Sequence, residues 1–133
     1  MGIEKKHLFD FGFDHALAGV FAALKSEKSI KVAFLYTIAV VVLGFTFSIS
    51  MTEWALLIIA LGLIFATEYL NTAIEYAVDL STHDILAGEL DCDPMNHNAK
   101  LAKDIGAASA LIATCVVGII TLIIFVPKLL ELI

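Results

Sequence analysis

Polarity along this chain changes in long blocks. Residues 32–49 form an uncharged run of eighteen residues, about the minimum that crosses a hydrocarbon core of roughly 30 Å. A short turn over 48–53 follows. Trp54 then opens a second uncharged run through Thr67, and stands where an interfacial aromatic belongs. The helical pattern does not stop there but continues through Glu68, Asn71, Glu75 and Asp79. A third uncharged run covers 105–126 and ends at Pro127 and Lys128. Ahead of all three, Phe9, Phe13, Ala16, Leu17, Val20, Phe21 and Leu24 recur at the three-and-four spacing of one helix face, with Asp10, Asp14 and His15 elsewhere. That segment is too short and too polar to span, so it is expected to lie along the membrane surface. The pattern predicts an all-α membrane protein with one domain over 1–133. Its parts are a surface helix over about 8–25 and spans over about 31–49, 54–79 and 104–126.

Composition agrees. Hydrophobic residues make up 60% of the chain and the mean hydropathy is +0.94, beyond the range of soluble domains. The net charge of −6 argues against nucleic acid, whose phosphates are held by clustered basic groups. All eight basic residues are Lys, so phosphate chemistry must use Lys or a metal ion, without the guanidinium fork. Lys5, Lys6, Lys25, Lys28 and Lys31 precede the first span, Lys100 and Lys103 lie between the second and third, and Lys128 alone falls on the other side. This bias puts the N-terminus in the cytoplasm. The N-terminal residues do not resemble a cleavable signal peptide. Cys92 and Cys115 have no metal-ligand or disulfide spacing and read as ordinary thiols. Gly106, Ala110, Thr114 and Gly118 stand four apart, a stripe that lets another helix approach closely. Three spans offer little interior for charged groups, so a homo-oligomer is expected.

The chemistry concentrates at the end of the second span. Glu68, Asn71, Glu75 and Asp79 sit at i, i+3, i+7 and i+11, which confines them to one stripe of a helix. A solvated helix end accounts for Asp79 and partly for Glu75. It accounts poorly for Glu68, because a carboxylate at membrane depth costs several kcal/mol unless it is paired or functional. Grouped carboxylates suit Mg²⁺, which takes one or two protein oxygens and completes its shell with water and phosphates. Lys103 and Asp104 stand at the mouth of the third span, where lysine acts as a point charge toward phosphate. Lys100 reads as a positive-inside anchor. Glu27 is a further carboxylate at the same level.

The stretch Glu68-Tyr69-Leu70-Asn71-Thr72-Ala73-Ile74-Glu75, then Val78-Asp79 and later Ala102-Lys103-Asp104, closely resembles the signature of the small bacterial diacylglycerol kinase and undecaprenol kinase family. Ala16, Gly19, Ala23 and Glu27 extend the resemblance into the surface helix, so that nearly the whole chain is covered. The resemblance implies a homotrimer in the bacterial inner membrane, with active sites shared between subunits, that transfers the γ-phosphate of ATP to a lipid alcohol. By position it implies Glu68 as the catalytic base and Glu27 and Glu75 as ligands of Mg²⁺. It implies Glu27, Asn71, Glu75, His97, Lys103 and Asp104 around ATP, and Glu68 and Ala107 at the lipid acceptor. A carboxylate at Glu68 suits the role, since it can take the hydroxyl proton as the lipid oxygen attacks. No glycine-rich phosphate loop is present.

Two features depart from the family pattern. Asp10, Asp14 and His15 occupy a helix where the family carries basic residues, leaving Lys5 or Lys6 as substitutes. The connection between Asp79 and Lys103 is longer than usual and holds His83, Asp84, Glu89, Asp91, Cys92, Asp93 and His97 at irregular spacing around Pro94. It reads as a solvated acidic loop. The run 103–108 looks more like the diacylglycerol branch, whose product is phosphatidic acid; Asn71-Thr72 is common among undecaprenol kinases, whose product is undecaprenyl phosphate. Diacylglycerol is the expected acceptor, with undecaprenol the alternative. A non-enzymatic cation-binding oligomer is the remote alternative: an ion path needs ionisable residues at several depths, and the first and third spans have none.

Overall fold

The computed structural model describes residues 6–81 and 97–132, with side chains from residue 12 onward, and all regular structure among them is helical. Helix α1 covers Lys6–Ser26, α2 Lys28–Thr46, α3 Met51–Asp79 and α4 His97–Leu130. The last three are long and apolar enough to cross a membrane, so this is a membrane protein of three spans preceded by one helix. Phe13, Leu17, Val20 and Phe21 of α1 are exposed in the single chain.

A single extended residue, Glu27 (φ −91°, ψ 128°), separates α1 from α2. Lys31 Nζ donates to the Lys25 carbonyl at 2.7 Å and so satisfies an acceptor left open at the end of α1. Helix α2 stops at Thr46, earlier than position 49, because the chain turns through a Schellman motif. The Ile49 N–H donates to the Gly44 carbonyl at 3.1 Å and the Ser48 N–H to the Phe45 carbonyl at 3.2 Å. The motif needs a left-handed residue, and Ser48 supplies it at φ 48°. Ser50 then caps α3 through a reciprocal pair with Glu53: its Oγ accepts from the Glu53 N–H at 3.3 Å, and its own N–H donates to Glu53 Oε2 at 2.6 Å.

Helices α3 and α4 form an antiparallel pair, the main contact of the chain. From α3 the seam takes Leu57, Leu61 and Ile64; from α4 it takes Gly106, Ala110, Ala113, Val117 and Ile124, all buried. Their alternating four-and-three spacing is that of helices crossing at a shallow angle. Lys128 Nζ lies 3.3 Å from Glu53 Oε1 at one end, and Lys103 Nζ lies 2.9 Å from Asp79 Oδ1 at the other. Helix α2 joins through Ala33 and Val40, and Tyr36 donates to Thr121 Oγ1 at 2.6 Å.

Three sequence expectations change. Helix α4 begins at His97 rather than 104, since 97–103 holds neither Gly nor Pro to oppose a helix. It also runs past Pro127 to Leu130: a proline in the last turn removes one backbone bond, and the Glu53 ion pair holds Lys128 in place beyond it. The small-residue stripe divides. Gly106 and Ala110 are buried against α3, whereas a Cβ on Gly118 would meet nothing within 4 Å and Thr114 is exposed. Between 22% and 28% of each span's apolar window is buried within the chain, which leaves most of its surface to lipid or to other chains.

Candidate active site

The α3 seam changes chemistry without changing register. Leu57, Leu61 and Ile64 are followed at the same alternating spacing by Glu68, Asn71 and Glu75, and Asp79 ends the stripe. The acidic stripe is therefore the continuation of the face that packs on α4. Asn71 Nδ2 donates to Glu75 Oε1 at 3.1 Å, one helical turn away. Asn71 Oδ1 is buried without a hydrogen-bond partner, against Gly106. A Cβ at Gly106 would stand 2.7 Å from that oxygen, so only glycine admits α4 this close. Lys103 reaches Asp79 and is also drawn by the charge of Glu75.

Glu68 lies one turn deeper than Asn71, half-buried. It lines a groove of about 540 Å³ with Lys28 and Ser29 at one end and Tyr36, Thr114 and Gly118 toward the other; Val32, Ala33, Ile64 and Val117 make the groove mainly apolar. Among the described residues no hydrogen bond or ion pair occupies its carboxylate. A carboxylate left free beside an apolar groove is placed to accept a proton from a hydroxyl whose remaining bulk is hydrocarbon.

Glu27, between α1 and α2, reaches α3 at Tyr76. Tyr76, the residue after Glu75, donates to Glu27 Oε1 at 2.8 Å, and Ser26 Oγ lies 3.2 Å from the same oxygen. His97 and Asp104 are exposed on the first turns of α4. Ala107 is exposed and does not line the Glu68 groove, so a single chain does not bring it to the base. The side chains of Lys5, Lys6 and Asp10, and the stretch from His83 to Asp93, lie outside the residues whose side chains are described. Tyr69 and Tyr76 were not singled out in the sequence. Their signal was available: each follows a stripe carboxylate, and they stand seven apart.

Among the described residues no three His, Cys, Asp or Glu side chains converge as a metal cage. Glu75 and Glu27 are the carboxylates that could each offer oxygen to a Mg²⁺ arriving with a nucleotide, an ion that needs only one or two protein ligands.

Three spans, a carboxylate stripe at one end of the central seam and a carboxylate at an apolar groove are features that suit a membrane phosphotransferase acting on lipid. The sequence model for prokaryotic diacylglycerol kinase matches residues 14–125, and the chain belongs to that family of lipid kinases. It is 34% identical over 117 residues to an undecaprenol kinase of Bacillus subtilis, covering 88% of this chain and 87% of the relative. It is 30% identical over 105 residues to a diacylglycerol kinase of Pseudomonas aeruginosa, covering 79% of this chain and 77% of the relative. No solved structure gives a significant match.

Proposed function

We propose that the chain transfers the γ-phosphate of ATP to the hydroxyl of a membrane lipid alcohol at the inner face of the bacterial cell membrane, with the N-terminus in the cytoplasm. The observation that carries this is the seam itself: one stripe of α3 presents Glu68 to an apolar groove and, one to three turns further, carries Asn71, Glu75 and Asp79, the last paired with Lys103. A hydroxyl reached from the bilayer and a phosphate reached from the cytoplasm would meet beside Glu68. Glu68 takes the hydroxyl proton, Lys103 faces the phosphates, and Asn71 keeps Glu75 in place. Mg²⁺, held by Glu27 and Glu75, would neutralise charge on the transferred phosphoryl group. Lys103 then exchanges Asp79 for phosphate oxygens, and Asp104 and His97 border the same mouth.

Two acceptors are supported. The run 103–108 favours diacylglycerol, giving phosphatidic acid for phospholipid synthesis; the longer match at higher identity is to an undecaprenol kinase, and Asn71-Thr72 agrees with it. The apolar surface left bare on the spans and the exposure of Ala107 support a homotrimer in which a neighbouring chain completes each site. The test is purified protein in lipid with labelled ATP, offered diacylglycerol and undecaprenol side by side. Label in neither lipid refutes the proposal, and the ratio of the two rates assigns the acceptor.

A further inference from the structure

Tyr69 and Tyr76 take no part in the proposed chemistry, yet both hydroxyls reach out of α3 to the segment before α2. Tyr69 donates to the Val20 carbonyl of α1 at 3.0 Å. Tyr76 donates to Glu27 Oε1 at 2.8 Å and lies 3.4 Å from Ser26 Oγ. The two contacts run in the same order along both segments. A groove of about 610 Å³, lined by the small Ala16, Gly19 and Ala23 on one side and by Tyr69 and Tyr76 on the other, lies between them. Small side chains grip α3 little across such a groove, so the tyrosine hydroxyls carry much of the register between α1 and α3. Glu27 has a further need of a fixed partner. It is the one extended residue between two helices, and a glutamate there has three side-chain torsions to settle.

We infer that Tyr76 is a positioning residue, whose hydroxyl ties the Glu27 carboxylate to the inner end of α3, at the residue that follows Glu75. This rests on the assignment of Glu27 as a metal ligand made above. Oε1 is engaged by Tyr76 and Ser26, and among the described residues no hydrogen bond or ion pair engages the other carboxylate oxygen. Tyr69 pins the same helix but touches no carboxylate, so it separates the effect on Glu27 from a general loosening of α1.

The experiment compares wild type, Tyr76→Phe and Tyr69→Phe in lipid nanodiscs. Mn²⁺ binding is followed by electron paramagnetic resonance with a non-hydrolysable ATP analogue present, and Mg²⁺ dependence is followed by turnover. Tyr76→Phe is expected to raise the half-saturating Mn²⁺ and Mg²⁺ concentrations about three- to tenfold, the loss of one hydrogen bond to a charged and partly exposed group, with the lipid KM unchanged. Tyr69→Phe is expected to speed amide exchange in α1 while leaving metal half-saturation at the wild-type value. Unchanged metal dependence in Tyr76→Phe overturns the inference, and so does an equal rise in both variants. A wild type that binds no Mn²⁺ overturns the metal assignment and this inference together. A wild type that binds Mn²⁺ but phosphorylates neither lipid refutes the proposed function alone, since the Mn²⁺ comparison still decides the role of Tyr76.

Discussion

Gly106→Ala adds one methyl group at the point where α4 crosses the start of the polar seam. The new Cβ would lie 2.7 Å from Asn71 Oδ1, 3.5 Å from Ile74 Cδ1 and 3.7 Å from Asn71 Cα. The second and third are ordinary contacts; the first is not, and Asn71 must turn or the helices must part by a few tenths of an ångström. Overpacking of this kind costs about 1–3 kcal/mol. Replacing an interior helical glycine by alanine returns about 1 kcal/mol. The net loss of stability is therefore expected to be at most about 2 kcal/mol, small enough for the chain to fold. Turnover should fall further, by about tenfold or more, because a displaced Asn71 releases Glu75 from its 3.1 Å hydrogen bond beside the proposed metal. Thermal unfolding in detergent, read with turnover at saturating ATP and lipid, separates the two effects. Gly118→Ala is the control for stability alone, since its Cβ meets nothing within 4 Å; Gly118 lines the Glu68 groove, so turnover is compared with wild type. If Gly106→Ala were as active as wild type and as stabilised as Gly118→Ala, close approach at Asn71 would not matter to the site.

Glu68→Gln should keep the fold and ATP binding but lose most phosphoryl transfer, because it removes the proton acceptor and preserves shape; near-normal turnover refutes the base assignment. Ser48→Gly should stabilise the chain by about 1 kcal/mol, the strain of a left-handed non-glycine residue, and an unchanged or lower unfolding temperature would contradict the Schellman geometry. Mixing inactive Glu68→Gln chains with inactive Lys103→Ala chains should restore part of the activity if the two residues reach one site from different subunits. Mixed assemblies without activity place both residues in a single chain.

Much of this protein was legible because bilayer physics writes in long blocks. The three uncharged runs, the stripe from Glu68 to Asp79 and the place of Lys103 at the mouth of the third span follow from period and charge, whereas its pairing with Asp79 does not. Helix ends were less legible. Thr46 ends α2 through a left-handed serine that no rule of residue preference favours, and Pro127 sits inside a helix because Lys128 is held from α3. Contacts between elements were invisible. Spacing put Gly106 and Gly118 in one stripe, but only packing shows that one meets Asn71 and the other meets open space. The tie between Tyr76 and Glu27, residues 49 apart, depends on how a one-residue hinge aims α1, which local preference does not encode.

The uncharged stretches of the paired spans are unequal. Between Glu53 and Glu68, α3 has 14 uncharged residues, 54–67, about 21 Å of helix, while α4 has 23, 105–127, or about 35 Å. A hydrocarbon slab of roughly 30 Å thus matches α4 and overreaches α3. Glu53 and Lys128 pair at one end of the two helices, so the difference in uncharged length falls at the Glu68 end. Hydrophobic mismatch costs fractions of a kcal/mol per ångström, and a thinner bilayer relieves it by carrying the headgroup level down to Glu68. Turnover through the proposed base Glu68 is therefore expected to be higher in short-chain than in long-chain bilayers.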